Sequence, residues 1–155
     1  MSESTPASPS RGNETSAKPN RAGLKVLVID DSNTIRRSAE VFLTQAGYDV
    51  ILAEDGFSAL TQITEHHPDI IFVDVMMPRL DGYQTCALIK RSAKFRTTPV
   101  VMLSSKDGVF DRARGRLVGS DEYLTKPFTR DDLVQAVRQH TRTVQDEYFG
   151  VEGHG

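Results

Sequence analysis

The chain has 155 residues, 38% of them hydrophobic and 26% charged, with a formal net charge of −2. That length suits one domain with a full core, and the charge balance argues against a nucleic-acid or membrane protein. No apolar run approaches the roughly 18 residues of a membrane span, no secretory signal opens the chain, and the single cysteine, Cys86, excludes an internal disulfide and suits a reducing cytoplasm.

Residues 1–23 are rich in Ser, Pro, Thr and Asn and contain no Val, Ile, Leu or Phe. Too little apolar surface is available there to offset ordering entropy, so the expectation is a disordered N-terminal tail. From Leu24 the pattern alternates strand and helix. KVLVI is a β-branched run of the kind found in doubly covered parallel strands. Ser32 or Asn33 can cap a helix carrying Ile35, Ala39, Phe42 and Ala46, which Gly47 stops. YDVILA is the second strand, and a helix from about Phe57 to Glu65 ends before Pro68. DIIFVD is the third strand. A helix over 82–94 follows, with Cys86, Ile89 and Ala93 on one face. PVVMLS is the fourth strand, 108–118 the fourth helix and EYLT a short fifth strand. The last helix spans 130–144 with Leu133, Val134, Val137 and Val144 apolar, and 145–155 is a short C-terminal tail. Five βα units over 24–144 predict an α/β fold: a doubly wound, five-stranded parallel sheet of flavodoxin-like (βα)5 type, strand order 2-1-3-4-5. Right-handed crossovers put helices on both faces.

Four strands end on polar residues suited to a phosphoryl group: Asp30-Asp31, Asp74, Ser104-Ser105 and Lys126-Pro127. Ligands of open parallel sheets bind at such carboxyl ends, so these groups should converge. Three carboxylates within about 4–6 Å repel by several kcal/mol unless a cation sits among them. Oxygen donors without a His or Cys cage favour Mg²⁺ over zinc. Asp74 is the expected nucleophile, since carboxylates form acyl phosphates. The Met76 backbone carbonyl can add an oxygen to the metal. Ser104 can donate to a phosphoryl oxygen, and Lys126 can place a point charge on the same group. Pro127 is a candidate cis proline that would aim Lys126 inward.

This combination resembles the receiver domain of two-component response regulators over about residues 24–143. VIDDSNTIRR, FVDVMMPRLDG, VVMLSS and DEYLTKPF carry the resemblance. Within the family, DGYQTCALIK, VVMLSSKDGVFDRARGR and VGSDEYLTKPF are most similar to the single-domain, chemotaxis-regulator-like members that control type IV pilus twitching motility. The resemblance implies that Asp74 accepts a phosphoryl group from a histidine kinase. It implies that Asp31, Asp74 and the Met76 carbonyl bind Mg²⁺ directly, with Asp30 acting mostly through metal-bound water. Ser104 would then follow the phosphoryl oxygen, Tyr123 change rotamer and Lys126 pair with the phosphate. Met76, two residues after the acceptor, and Lys106, two after Ser104, occupy positions that often influence phosphoaspartate lifetime.

The family signals through its fourth helix, fifth strand and fifth helix. The expected partners are therefore a histidine kinase and a downstream protein of the pilus-control machinery, with no nucleic acid and no membrane insertion. The protein would be cytoplasmic, a monomer or a phosphorylation-dependent dimer, and no enzyme beyond its own phosphorylation and dephosphorylation. A phosphate sink or a chemotaxis or flagellar regulator is the alternative. An Asp-dependent phosphotransfer enzyme generally needs a second acid/base Asp where Met76 stands, and a DNA-binding regulator needs a further helical domain. Arg112, Arg114 and Arg116 are either solvated helix surface or a basic patch for an acidic partner, with Arg112 and Arg116 on one face. Arg130, Arg138 and Arg142 mark the fifth helix. Cys86 reads as core, and His66 and His67 as helix-terminus residues rather than metal ligands.

Overall fold

The computed structural model describes residues 23–105 and 111–141. Apart from Gly23, the N-terminal tail lies outside these residues, as do Lys106, residues 108–110 of the expected fourth helix, Arg142, Val144 and the C-terminal tail. In chain order the elements are β1 (Lys25–Ile29), α1 (Asn33–Gln45), β2 (Asp49–Ala53), α2 (Gly56–His66), β3 (Ile70–Asp74), α3 (Gly82–Arg91), β4 (Val100–Ser105), α4 (Arg112–Val118), β5 (Glu122–Lys126) and α5 (Arg130–His140). The strands form one parallel sheet in the order β2-β1-β3-β4-β5, as the alternation of apolar runs predicts. Two cores result. Leu27, Ile29, Ile71 and Val73 pack with Ala59, Ile63, Cys86 and Ile89 from α2 and α3. Val26, Val28, Ile70 and Phe72 pack with Ala39, Leu43, Leu133 and Val137 from α1 and α5. Alternate residues of each strand thus feed opposite faces, which is why the strands read as unbroken apolar runs.

Helix ends are set by local chemistry. Ser32 is the N-cap of α1, its side chain accepting from the Ile35 N–H at 3.2 Å. Gly47, at φ 95°, takes the chain out of that helix. Asp81 and Gln84 form a reciprocal capping box on α3.

Three expected helix bounds change. The third helix stops at Arg91 rather than residue 94, because Ser92 is extended (ψ 123°) and the chain folds back under Lys90. The Lys90 ammonium donates to the Arg96 and Thr98 carbonyls at 3.2 and 2.6 Å. Ala93 is consequently exposed and Phe95 packs on the core in its stead. The fourth helix starts at Arg112, not 108, because Asp111 is its N-cap. The Asp111 N–H donates to the Tyr83 hydroxyl at 2.9 Å. The fifth helix ends at His140, where the Thr141 hydroxyl donates to the Val137 carbonyl at 2.5 Å.

Candidate functional site: an acidic cluster at the carboxyl ends of the strands

Strand register brings the polar ends level. Ile29 pairs with Val73, so Asp30 and Asp74 leave adjacent strands side by side. Asp74 pairs with Leu103, and Ser105 pairs with Lys126. Asp30 and Asp74 are 0% and 3% exposed, whereas Asp31 is exposed. One carboxylate oxygen from each of the three lies within 4.8 Å of the others. The Lys126 ammonium reaches into this cluster, 3.2 Å from both Asp30 Oδ2 and Asp74 Oδ1. The Lys126–Pro127 peptide bond is cis.

The two buried acids are held in place. The Ser32 N–H donates to Asp30 Oδ1 at 2.9 Å and the Met76 N–H to Asp74 Oδ1 at 3.2 Å. Burial, and then the charge of Asp30, push the Asp74 carboxyl up to about 6, against the opposing pull of Lys126 and the Met76 N–H. For Lys126, burial pulls the ammonium pKa down, but attraction to Asp30 and Asp74 outweighs it and the net displacement is upward. A buried carboxylate pair that cannot comfortably carry both charges, open on one side to a third carboxylate, is a hard-oxygen cation site in its donor chemistry.

Ser104 is buried at the end of β4, and its hydroxyl donates to the Ser105 carbonyl at 3.4 Å. The Met76 side chain is 72% exposed beside the cluster. Tyr123 is half-buried in β5. Its hydroxyl accepts from Arg112 at 2.6 Å, and the guanidinium lies 5.2 Å from the ring centroid. The residues singled out from the sequence thus fall at the strand ends or on the adjoining β5.

Three residues of consequence had no role assigned from sequence. Arg36 donates to the Asp30 backbone carbonyl at 2.6 Å and anchors the acidic loop to α1. Gly82 starts α3 so close to β3 that a Cβ would sit 2.4 Å from the Asp74 carbonyl oxygen. Tyr83 receives Asp111, and the Arg114 guanidinium stacks 4.4 Å from its ring centroid. The Asp-Gly pair of FVDVMMPRLDG was a visible signal for the close approach; the Tyr83 contact, between residues far apart in sequence, had none.

Residues 26–138 match the response regulator receiver domain family. The protein PilG of Pseudomonas aeruginosa is 66% identical over 118 residues, covering 76% of this chain and 87% of PilG. The chemotaxis protein CheY4 of Vibrio cholerae superposes with a TM-score of 0.72 at 32% identity, covering 77% of this chain and 99% of that one. The receiver domain of the sensor histidine kinase PA1611 of P. aeruginosa has a TM-score of 0.72 at 29% identity, covering 79% of this chain and all of that chain. That structure has a magnesium ion coordinated in its active-site cleft. With a family match that runs from β1 into α5 and a 66% identical relative covered over 87% of its length, the chain belongs to the response regulator receiver domains.

Proposed function

We infer that the chain takes a phosphoryl group from a phosphohistidine of a histidine kinase onto Asp74, and reports it by phosphorylation-dependent protein binding in the control of type IV pili. The observation that carries this is the Lys126 ammonium bridging two buried carboxylates at the sheet edge. An Asp74 carboxylate oxygen attacks phosphorus, forming an O–P bond as the N–P bond of the phosphohistidine breaks; the N–P electron pair stays on the ring, which carries a proton on its other nitrogen and departs as neutral imidazole. Asp31, Asp74 and the Met76 carbonyl would hold Mg²⁺, with Asp30 acting through a metal-bound water. The fit rests on three carboxylate oxygens within 4.8 Å of one another and no His or Cys in that group. A bound Mg²⁺ supplies charge neutralisation at the phosphoryl oxygens. Lys126, already at hydrogen-bonding distance of Asp74, moves with the acceptor oxygen and donates to the phosphoryl group. Ser104 exchanges its weak 3.4 Å bond to Ser105 for a phosphoryl oxygen.

The chain performs covalent chemistry only on itself, and its output is a surface. The pilus assignment is supported by 66% identity to PilG, and a cytoplasmic location follows from a kinase as phosphodonor. Residues 24–144 form the receiver unit, with residues 1–23 and 145–155 flanking it. No helix among the described residues is long and apolar enough to cross a membrane. The output surface is α4, β5 and α5, where Arg112 touches Tyr123.

The test is phosphorylation by acetyl phosphate with Mg²⁺, read by intact mass. One phosphoryl group is expected, lost to hydroxylamine and absent in Asp74→Ala; label persisting in that variant overturns the assignment. Asp31→Asn should bind Mg²⁺ more weakly and phosphorylate more slowly. Unchanged metal affinity removes Asp31 from the ligand set.

A further inference from the structure

We propose that residues 146–152 of this chain, DEYFGVE, dock in cis on the groove between α4 and β5, with their carboxylates on Arg112 and Arg116 and their aromatic side chains on Leu117 and Tyr123. The groove encloses about 160 Å³ and is lined by Arg112, Arg116, Ser120, Asp121, Glu122 and Tyr123. Its two acids are already engaged. Asp121 Oδ2 accepts from the Val100 N–H at 2.8 Å and from Lys90 at 3.3 Å, and Glu122 pairs with His140 at 2.6 Å. Arg112 and Arg116, one helical turn apart, are both exposed, and Arg116 makes no ion pair among the described residues. Beside them Leu117 is 85% exposed, the most exposed large hydrophobic side chain described. The groove therefore asks for an occupant with carboxylates and apolar bulk in close succession.

Such a segment follows α5 directly. Asp146, Glu147 and Glu152 bracket Tyr148, Phe149 and Val151. Described structure ends at Thr141, one residue beyond the His140 ring that holds Glu122 on the groove wall. Five residue steps from Thr141 to Asp146 reach up to about 16 Å. A tether this short keeps the segment at an effective concentration on the order of millimolar, so weak contacts suffice for occupancy. Arg112 already stacks on Tyr123, and Tyr148 or Phe149 offers the same kind of ring to either arginine. The second basic groove, between α1 and α5, is lined by Arg130 and Arg138. Its large apolar members Tyr48 and Val134 are buried, so it offers no counterpart to Leu117. Docking would mask part of the face assigned to output under the proposed function. It is measured without phosphoryl group or partner, so either reading can fail alone.

The test is paramagnetic broadening in the full chain carrying Gly153→Cys with a nitroxide label, Cys86 being buried and left in place. Amides of Arg116, Leu117 and Tyr123 should lose intensity relative to the reduced label. Intensity should return in the Arg112→Glu/Arg116→Glu variant, in Asp146→Lys/Glu147→Lys, and in roughly 1 M salt, where the Debye length is about 3 Å. Unbroadened α4 and β5 amides, broadening indifferent to both charge reversals, or broadening centred on Arg130 and Arg138 would each overturn the proposal.

Discussion

At the scale of single residues, the site is governed by how few positive charges face its acids. Asp74 is nearly sealed and lies beside Asp30, and its carboxyl is held up at about 6 rather than at 3.8. Between those two values the folded protein binds more protons than the unfolded chain, so stability falls as pH rises through that window. In metal-free protein, Asp74→Asn should therefore stabilise more at neutral pH than at pH ~4, by at most about 3 kcal/mol for a shift of this size. Urea titrations of both proteins at the two pH values measure the difference. An equal effect at both would mean Asp74 titrates normally. Lys126 is the counterpart. Removing it leaves two buried carboxylates without their cation, a loss of about 3–5 kcal/mol in comparable buried pairs. Because Mg²⁺ is proposed for the same acids, it should raise the Tm of metal-free Lys126→Ala more than that of the parent chain. Equal increments would separate the lysine and metal sites.

Between elements, the fit of α3 to β3 shows how a helix start positions an acid. Gly82 does not need unusual backbone angles; it needs the missing Cβ, because the Asp74 carbonyl oxygen and Val75 Cα would lie 2.4 and 2.8 Å from it. Gly47 is the converse, with nothing within 4 Å of its would-be Cβ but a φ of 95°. Gly82→Ala must displace backbone at the acceptor. It should cost about 1–3 kcal/mol, in the range of overpacked core sites, and slow phosphorylation. Gly47→Ala should cost about 1 kcal/mol and leave phosphorylation untouched. Denaturant midpoints and acetyl phosphate labelling check both; a Gly82→Ala protein labelled at the parent rate would mean the close approach is relieved without moving Asp74. The contrast also marks what could be read from sequence. Strand identity, sheet order and the approach of Asp30, Asp31, Asp74 and Lys126 were legible because apolar runs ending in polar residues encode them locally. The start of α4 at Arg112 and the end of α3 at Arg91 were not. They depend on Asp111 meeting Tyr83 and Lys90 reaching Thr98, contacts that periodicity does not contain.

Across the whole molecule, the site and the proposed output face are joined by one strand. Tyr123 and Lys126 both belong to β5, and Ser104 pairs with Thr125 between them. Lys126 is tied to Asp30 and Asp74 at one end, and Arg112 of α4 is tied to Tyr123 at the other. A phosphoryl group on Asp74 would add charge and acceptor oxygens where Lys126 and Ser104 can follow. Moving a two-state equilibrium from 1:99 to 99:1 takes about 5.5 kcal/mol of differential interaction. Two or three charge-assisted hydrogen bonds at roughly 1.5–3 kcal/mol each reach that figure. The expected consequence is coupled motion. Beryllofluoride, standing in for the phosphoryl group on Asp74, should shift the amide resonances of Ser104, Tyr123 and Arg112 together in one titration. In Lys126→Ala the Ser104 shift should persist, because the ligand still binds Asp74, while those of Tyr123 and Arg112 shrink. Arg112→Glu should leave the Ser104 shift intact and change only the response of α4. If the parent protein saturates with beryllofluoride and Tyr123 does not move, β5 does not carry the signal and the output face lies elsewhere on the fold.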